Sequence, residues 1–271
     1  MKSDWNAERI TRIHLRRKVS LAVLVVDDFT GRPILAPDVA VSAAGVLERP
    51  VRKGDGYFLF LDSPAPVLEV SVRAWAYHPA AVRVELAGLS PLRPVVKLRL
   101  TPNRNYSIPN ETTCLEGTAP AGTEIRVLCE NDPRPLRLLC DYETAGAEDG
   151  RLIRLYDPAS SDPEGREFAL LRKGESDPEF FTVREAAACE EGGCLMAAPL
   201  GRPCKKAGAT VLPAAGARAD AEGRFFLPLR TLAVKTYQCR ILWKTPGGTS
   251  RQETLEAEPG RVTRLDLTGH D

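Results

Sequence analysis

Short apolar runs separated by turn residues dominate the chain. In a strand, successive side chains point to opposite faces, so a half-buried strand alternates apolar and polar positions. "VLEVSVRAW" alternates in this way, with Val67, Glu69, Ser71 and Arg73 opposing Leu68, Val70, Val72 and Ala74. "AVRVEL" and "PVVKLRL" do the same. "GDGYFLFLD", residues 54–62, is apolar on both faces: Tyr57, Leu59 and Leu61 on one, Phe58 and Phe60 on the other. A close echo, "AEGRFFLPL", returns at 221–229. The pattern predicts a strand at "VSLAVLVVD", a turn at "DFTGRP", then strands at "DVAVSA", "YFLFLD" and the three alternating runs. So many short strands within residues 18–100, without a helical period, predict a two-sheet sandwich.

Residues 101–110, "TPNRNYSIPN", are polar and proline-bearing and are read as a linker. A second series follows over 111–271: "TCLEGTA", "TEIRVLCE", "LRLLCDY", "RLIRLY", "EFALLR", "EFFTVRE", "ATVLP", "GRFFLPL", "YQCRILWK", "RQETLEAE" and "RVTRLDL". These exceed one seven-strand sandwich, so about 132–206 is expected to be an inserted loop or hairpin region. "EFFTVREAAA", 179–188, reads either as a strand or as the start of a short helix.

Residues 1–17, "MKSDWNAERITRIHLRR", form a basic N-terminal arm. Ile10 and Ile13 sit at a helical spacing. The arm is either a solvated terminus or a segment that orders on a neighbouring subunit, with Trp5 as anchor and Arg16 and Arg17 beside it.

The first series resembles the carboxypeptidase regulatory-like (transthyretin-like) β-sandwich family. The resemblance rests on "VLVVDDFTGRPI", then "VAVSA", then "GDGYFLFLD", then "LEVSVRAWAYHPAAVRVEL". In "AYHP", Ala76 stands where the family has a glycine before the tyrosine. "KAGATVLPAAGARADAEGRFFLPL" repeats the signature more weakly, through Asp220, Gly223, Phe225 and Leu227. The resemblance implies an all-β protein of two tandem Ig-like sandwiches, the second carrying the insertion. It also implies a non-catalytic module, since in its namesake peptidases this domain is not the catalytic part.

Length and charge fit that picture. The 271 residues suit two domains, and the formal net charge is +1. The longest apolar run, Val19 to Val26, is far short of the roughly 20 residues that cross a bilayer. It follows "LRRK" in faint imitation of a signal peptide, but lacks a small-residue cleavage site and runs into Asp27 and Asp28, so a buried strand is expected. Seven cysteines, an odd number, and no C-x-x-C argue against a disulfide framework and for a reduced, cytoplasmic protein. Cys129, Cys140 and Cys239 lie in apolar runs and read as small buried hydrophobes. Cys189, Cys194 and Cys204 are spaced poorly for zinc and read as a reduced flexible loop, with zinc or a 189–194 disulfide as alternatives.

Chemistry-bearing motifs are scarce. The three histidines are His14, His78 and His270, and neither H-E-x-x-H nor G-x-S-x-G occurs. "GTAPAGTE" has Thr123 and Glu124 where a phosphate loop needs Lys and Ser or Thr. The acidic stretches near 141–165 lack calcium-loop spacing. Arg134, Arg137, Arg151 and Arg154 are scattered as on polar sheet faces, which excludes a nucleic-acid stripe. No cofactor is expected. Trp75, Tyr77 and His78 form the candidate exposed aromatic loop at a strand end, or else Trp75 caps the core.

The expected function is therefore a non-catalytic structural or adaptor protein. It would present sandwich surfaces to other protein subunits, as in a larger bacterial assembly such as a phage-tail-like contractile particle. The alternative is a module binding a peptide, glycan or small ligand through loops near Trp75 or the 132–206 region.

Overall fold

The computed structural model describes residues 17–145, 149–157, 162–186 and 193–269. Trp5, Ile10, Ile13, His14, Arg16, Cys189 and His270 lie outside the described residues. Among the described residues the regular structure is β-strand, apart from two single-turn 3₁₀ segments. The all-β expectation is met.

Seven strands build the first part: β1 (Val19–Asp27), β2 (Ala40–Ala43), β3 (Val51–Arg52), β4 (Tyr57–Leu61), β5 (Val67–Arg73), β6 (Ala80–Glu85) and β7 (Val95–Leu100). They form two sheets, β3-β4-β1-β7 and β2-β5-β6. The sheets close on one core that includes Leu21, Val23, Phe58, Phe60, Leu68, Val70 and Val72. Phe58 lies opposite Val23 and Phe60 opposite Leu21 on the neighbouring strand. The doubly apolar run is thereby explained. Phe58 and Phe60 fill the core, while Tyr57, Leu59 and Leu61 are half-buried on the outer face beside Leu24 and Ala22 of β1.

The second series supplies β8 (Cys114–Thr118), β9 (Glu124–Cys129), β10 (Arg137–Leu138), β11 (Leu152–Tyr156), β12 (Glu167–Arg172), β13 (Glu179–Ala186), β14 (Gly193–Met196), β15 (Ala209–Arg218), β16 (Arg224–Pro228), β17 (Tyr237–Lys244), β18 (Ser250–Ala257) and β19 (Val262–Asp266). A three-stranded sheet, β16-β8-β19, shares a core with the strands β15, β9 and β17. Leu115, Ile125, Phe225, Leu227, Tyr237 and Trp243 belong to that core. Its wiring repeats the first part. β1 runs antiparallel to β4 and parallel to β7; β8 runs antiparallel to β16 and parallel to β19. The echo between "GYFLFL" and "GRFFLPL" is thus an echo of position in the sheet. Both leading glycines, Gly56 and Gly223, have positive φ (90° and 75°). A Cβ on Gly223 would lie 2.6 Å from the Ala119 carbonyl oxygen, so only glycine fits this turn.

The 132–206 region lies between β9 and β15 in the chain, and its described residues supply β10 to β14. Strand β12 pairs along β15, and β10 to β14 continue outward to make one nine-stranded sheet, β10-β11-β14-β13-β12-β15-β9-β17-β18. This half has its own core, including Leu136, Ile153, Phe168, Phe181, Val183 and Met196. The helical alternative for 179–186 fails. Phe181 and Val183 alternate into that core, with Phe180 and Thr182 on the opposite face.

Two cysteine expectations are corrected. Cys140 is exposed, because it follows the two-residue strand β10 at a bend rather than continuing it. Cys194 and Cys204 are buried in the core of the outer half of the sheet, not held in a flexible loop. Cys239 is buried as expected, and Cys129 is partly buried. The "linker" also packs: Tyr106 meets Phe29 and Tyr77 edge-on, at centroid distances of 6.2 and 5.5 Å.

Candidate functional site

The alternation of β5 ends at Arg73, and the chain turns through Trp75, Ala76, Tyr77 and His78 before β6. Residues of the 101–110 segment tie this turn down. The Asn103 side-chain amide donates to the carbonyls of Trp75 and Tyr77, both at 2.9 Å. Asn105 donates to the Trp75 carbonyl at 3.2 Å, and the Trp75 N–H donates to Asp38 Oδ2 at 2.7 Å. Backbone bonds add to these: His78 N–H to Thr101 O, and Asn103 N–H to Ala76 O. The polar asparagines that made 101–110 look like a linker are spent on fixing the loop.

Three predicted site residues therefore share one loop but face different surroundings. Trp75 stands outward with 69% of its surface exposed, so it does not cap the core. Tyr77 turns inward against Tyr106. The Tyr106 hydroxyl donates to Asp27 Oδ2 at 2.6 Å. Asp27 is buried and also accepts from the Phe29 N–H at 2.9 Å and the Thr30 hydroxyl at 2.9 Å. Burial first, and the Asp27 charge next, raise Tyr77 above the ordinary phenol range; burial and the bond to Asp27 do the same to Tyr106. Both phenols stay protonated as donors, and the carboxylate is already saturated. The cluster positions the loop and offers no free base or nucleophile.

His78 points the other way, into a recess shared with Glu124, Arg126, Glu167 and Arg218. Burial lowers its pKa; the charge of Asp220 opposes that and Arg218 adds to it. Arg17 is held on the first sandwich by Asp62 at 3.0 Å and Glu48 at 2.6 Å, apart from the Trp75 loop's own contacts.

A second arrangement escaped the sequence reading. Arg99 of β7 has only 4% of its side chain exposed. Its Nε donates to the Glu164 carbonyl at 2.7 Å and Nη2 to the Asp162 carbonyl at 3.2 Å. Its Nη1 faces Asp28 Oδ1 at 3.9 Å, and neighbouring Lys97 pairs with Asp162 and Glu164. Gly165 lies against the Arg99 stem, so the "DPEG" turn, 162–165, clasps β7 of the first sandwich. The signal was present in "PVVKLRL": Lys97 and Arg99 are two like charges on one strand face, facing an acidic turn far along the chain.

Beside this clasp lies a cleft of about 80 Å³, lined by Asp28, Phe29, Pro102, Cys129, Arg166 and Arg230 among others. Asp28 keeps 28% of its side chain exposed, yet the burial of its carboxyl raises the pKa, with the charges of Arg99 and Arg166 opposing the shift. Among the described residues, no three or more His, Cys, Asp or Glu side chains gather to hold a metal ion. Compared with protein-family models and with curated proteins, the sequence matches none.

Proposed function

We propose that the chain is a non-catalytic structural or adaptor protein that binds another protein chain through the Trp75 end of its first sandwich. The observation that carries this reading is a large exposed indole on a backbone immobilised by Asp38, Asn103 and Asn105. Tryptophan is a preferred anchor at protein interfaces, and a loop already rigid when free loses little entropy on binding. One edge of the nine-stranded sheet is poorly suited to strand addition. The outer strand β18 carries Arg251, Glu253 and Glu256, charges that discourage pairing.

The test is sedimentation of native lysate with mass-spectrometric identification of co-migrating chains, for the wild type and Trp75→Ala. Co-migration with a defined set of chains that W75A loses supports the reading. Migration of the wild type as a free monomer defeats it.

A further inference from the structure

We propose that Cys129 and Cys239 form an oxidisable dithiol, a modification site that closes as a reversible disulfide across β9 and β17. The two residues are direct partners in the antiparallel ladder. The next pair along, Glu130 and Gln238, is hydrogen-bonded, Glu130 N–H to Gln238 O at 2.8 Å. Antiparallel pairs alternate, so Cys129 and Cys239 occupy a non-hydrogen-bonded pair, where side chains approach most closely. Cα atoms there lie about 4.5 Å apart, inside the roughly 4.4–6.8 Å that a disulfide spans. The sulfurs are already 4.0 Å apart. Side-chain rotation closes that gap without re-pairing the strands.

The surroundings divide the roles. Cys239 is fully buried, in the core under β8 and β16. Cys129 is partly exposed and lines the cleft with Asp28, Phe29, Asp132 and Arg230. The cleft of about 80 Å³ has room for a molecule the size of water or peroxide, since about 10–15 Å³ of such volume holds one water. The hydrogen bond between the thiols eases loss of the first proton from the pair and opposes loss of the second. That bond lowers Cys239 and, with burial, raises Cys129, so Cys129 meets the oxidant by its exposure to the cleft and reacts from the thiol form.

The oxidant class is a peroxide. The Cys129 thiol attacks one oxygen of hydrogen peroxide, the O–O bond breaks, and Cys129 becomes a sulfenic acid as its proton passes to the leaving hydroxide to give water. Cys239 then gives up its proton and attacks Cys129 Sγ; the S–O bond breaks, the S–S bond forms, and a second water leaves. Two thiols and one peroxide give one disulfide and two waters. An added dithiol reverses the bridge by exchange. By contrast, the buried Cys114 thiol donates to the Thr112 carbonyl.

The experiment treats the full chain with hydrogen peroxide, blocks remaining thiols under denaturing conditions, and maps the peptides without reduction. The expected result is a linked pair of peptides carrying Cys129 and Cys239, two hydrogen atoms lighter than the two free peptides together, and reversal by dithiothreitol. Cys239→Ser is expected to leave a sulfenic acid on Cys129, captured by dimedone, and Cys129→Ser to abolish the link. If both cysteines remain blockable after treatment that oxidises the exposed Cys140, or if either links to a different cysteine, the proposal is overturned.

Discussion

Asp27 has no spare acceptor capacity in practice, because Tyr106, Thr30 and the Phe29 N–H all converge on it. Tyr106→Phe removes one donor from a buried carboxylate, and a hydrogen bond to a charged group is worth roughly 1.5–3 kcal/mol. The expected outcome is a lower urea midpoint with an unchanged slope, together with greater mobility of the Trp75 loop. His78 gives a pH-dependent prediction. Its folded pKa lies below the ordinary 6.5, so the unfolded chain takes up the proton first. Its contribution to stability is present above 6.5 and is lost as pH falls through the folded value. His78→Gln is expected to flatten the decline of the unfolding midpoint on that acid side; an undiminished decline counts against the assignment. The sequence showed Trp75, Tyr77 and His78 as one loop. It could not show their divergent directions, because those depend on Asn103 and Asn105, which looked like linker polarity.

At the scale of elements, the strand pattern was largely legible because its period is local. The face assignment of "YFLFL" follows from the partner strand, and Phe58→Ala should cost about 3–5 kcal/mol as a core cavity. Thermal unfolding measures it, and Leu59→Ala on the half-buried outer face is expected to cost distinctly less. Gly223→Ala is expected to destabilise by more than about 1 kcal/mol, since the turn needs positive φ and the Ala119 carbonyl blocks a Cβ. What the pattern hid was pairing. Nothing local in "EFALLR" says that it lies along "ATVLP", yet that contact joins the strands of the 132–206 region to one nine-stranded sheet. For the same reason Cys140 misled: its apolar neighbours suggested burial, but β10 ends two residues earlier.

At the scale of the whole molecule, one side chain joins what the strand pattern kept apart. Arg99 belongs to the first sandwich by its strand and to the outer sheet by its hydrogen bonds to residues 162 and 164. Arg99→Ala strips the "DPEG" turn of two hydrogen bonds and leaves Asp28 facing Arg166 alone. Removing one partner of a buried ionic cluster costs up to about 3–5 kcal/mol, and the partial exposure of Asp28 places this case at the lower end. The three cores themselves contain none of these groups, so the variant should keep its strand content while the junction loosens. Limited proteolysis is then expected to cut faster within 101–110 and near 162–165, and unfolding to broaden or split into two steps. Arg99→Lys tests the geometry: it restores the charge but not the two-carbonyl fork, so it should recover only part of the resistance. Full recovery by lysine would mean that the clasp is held by charge rather than by directed hydrogen bonds.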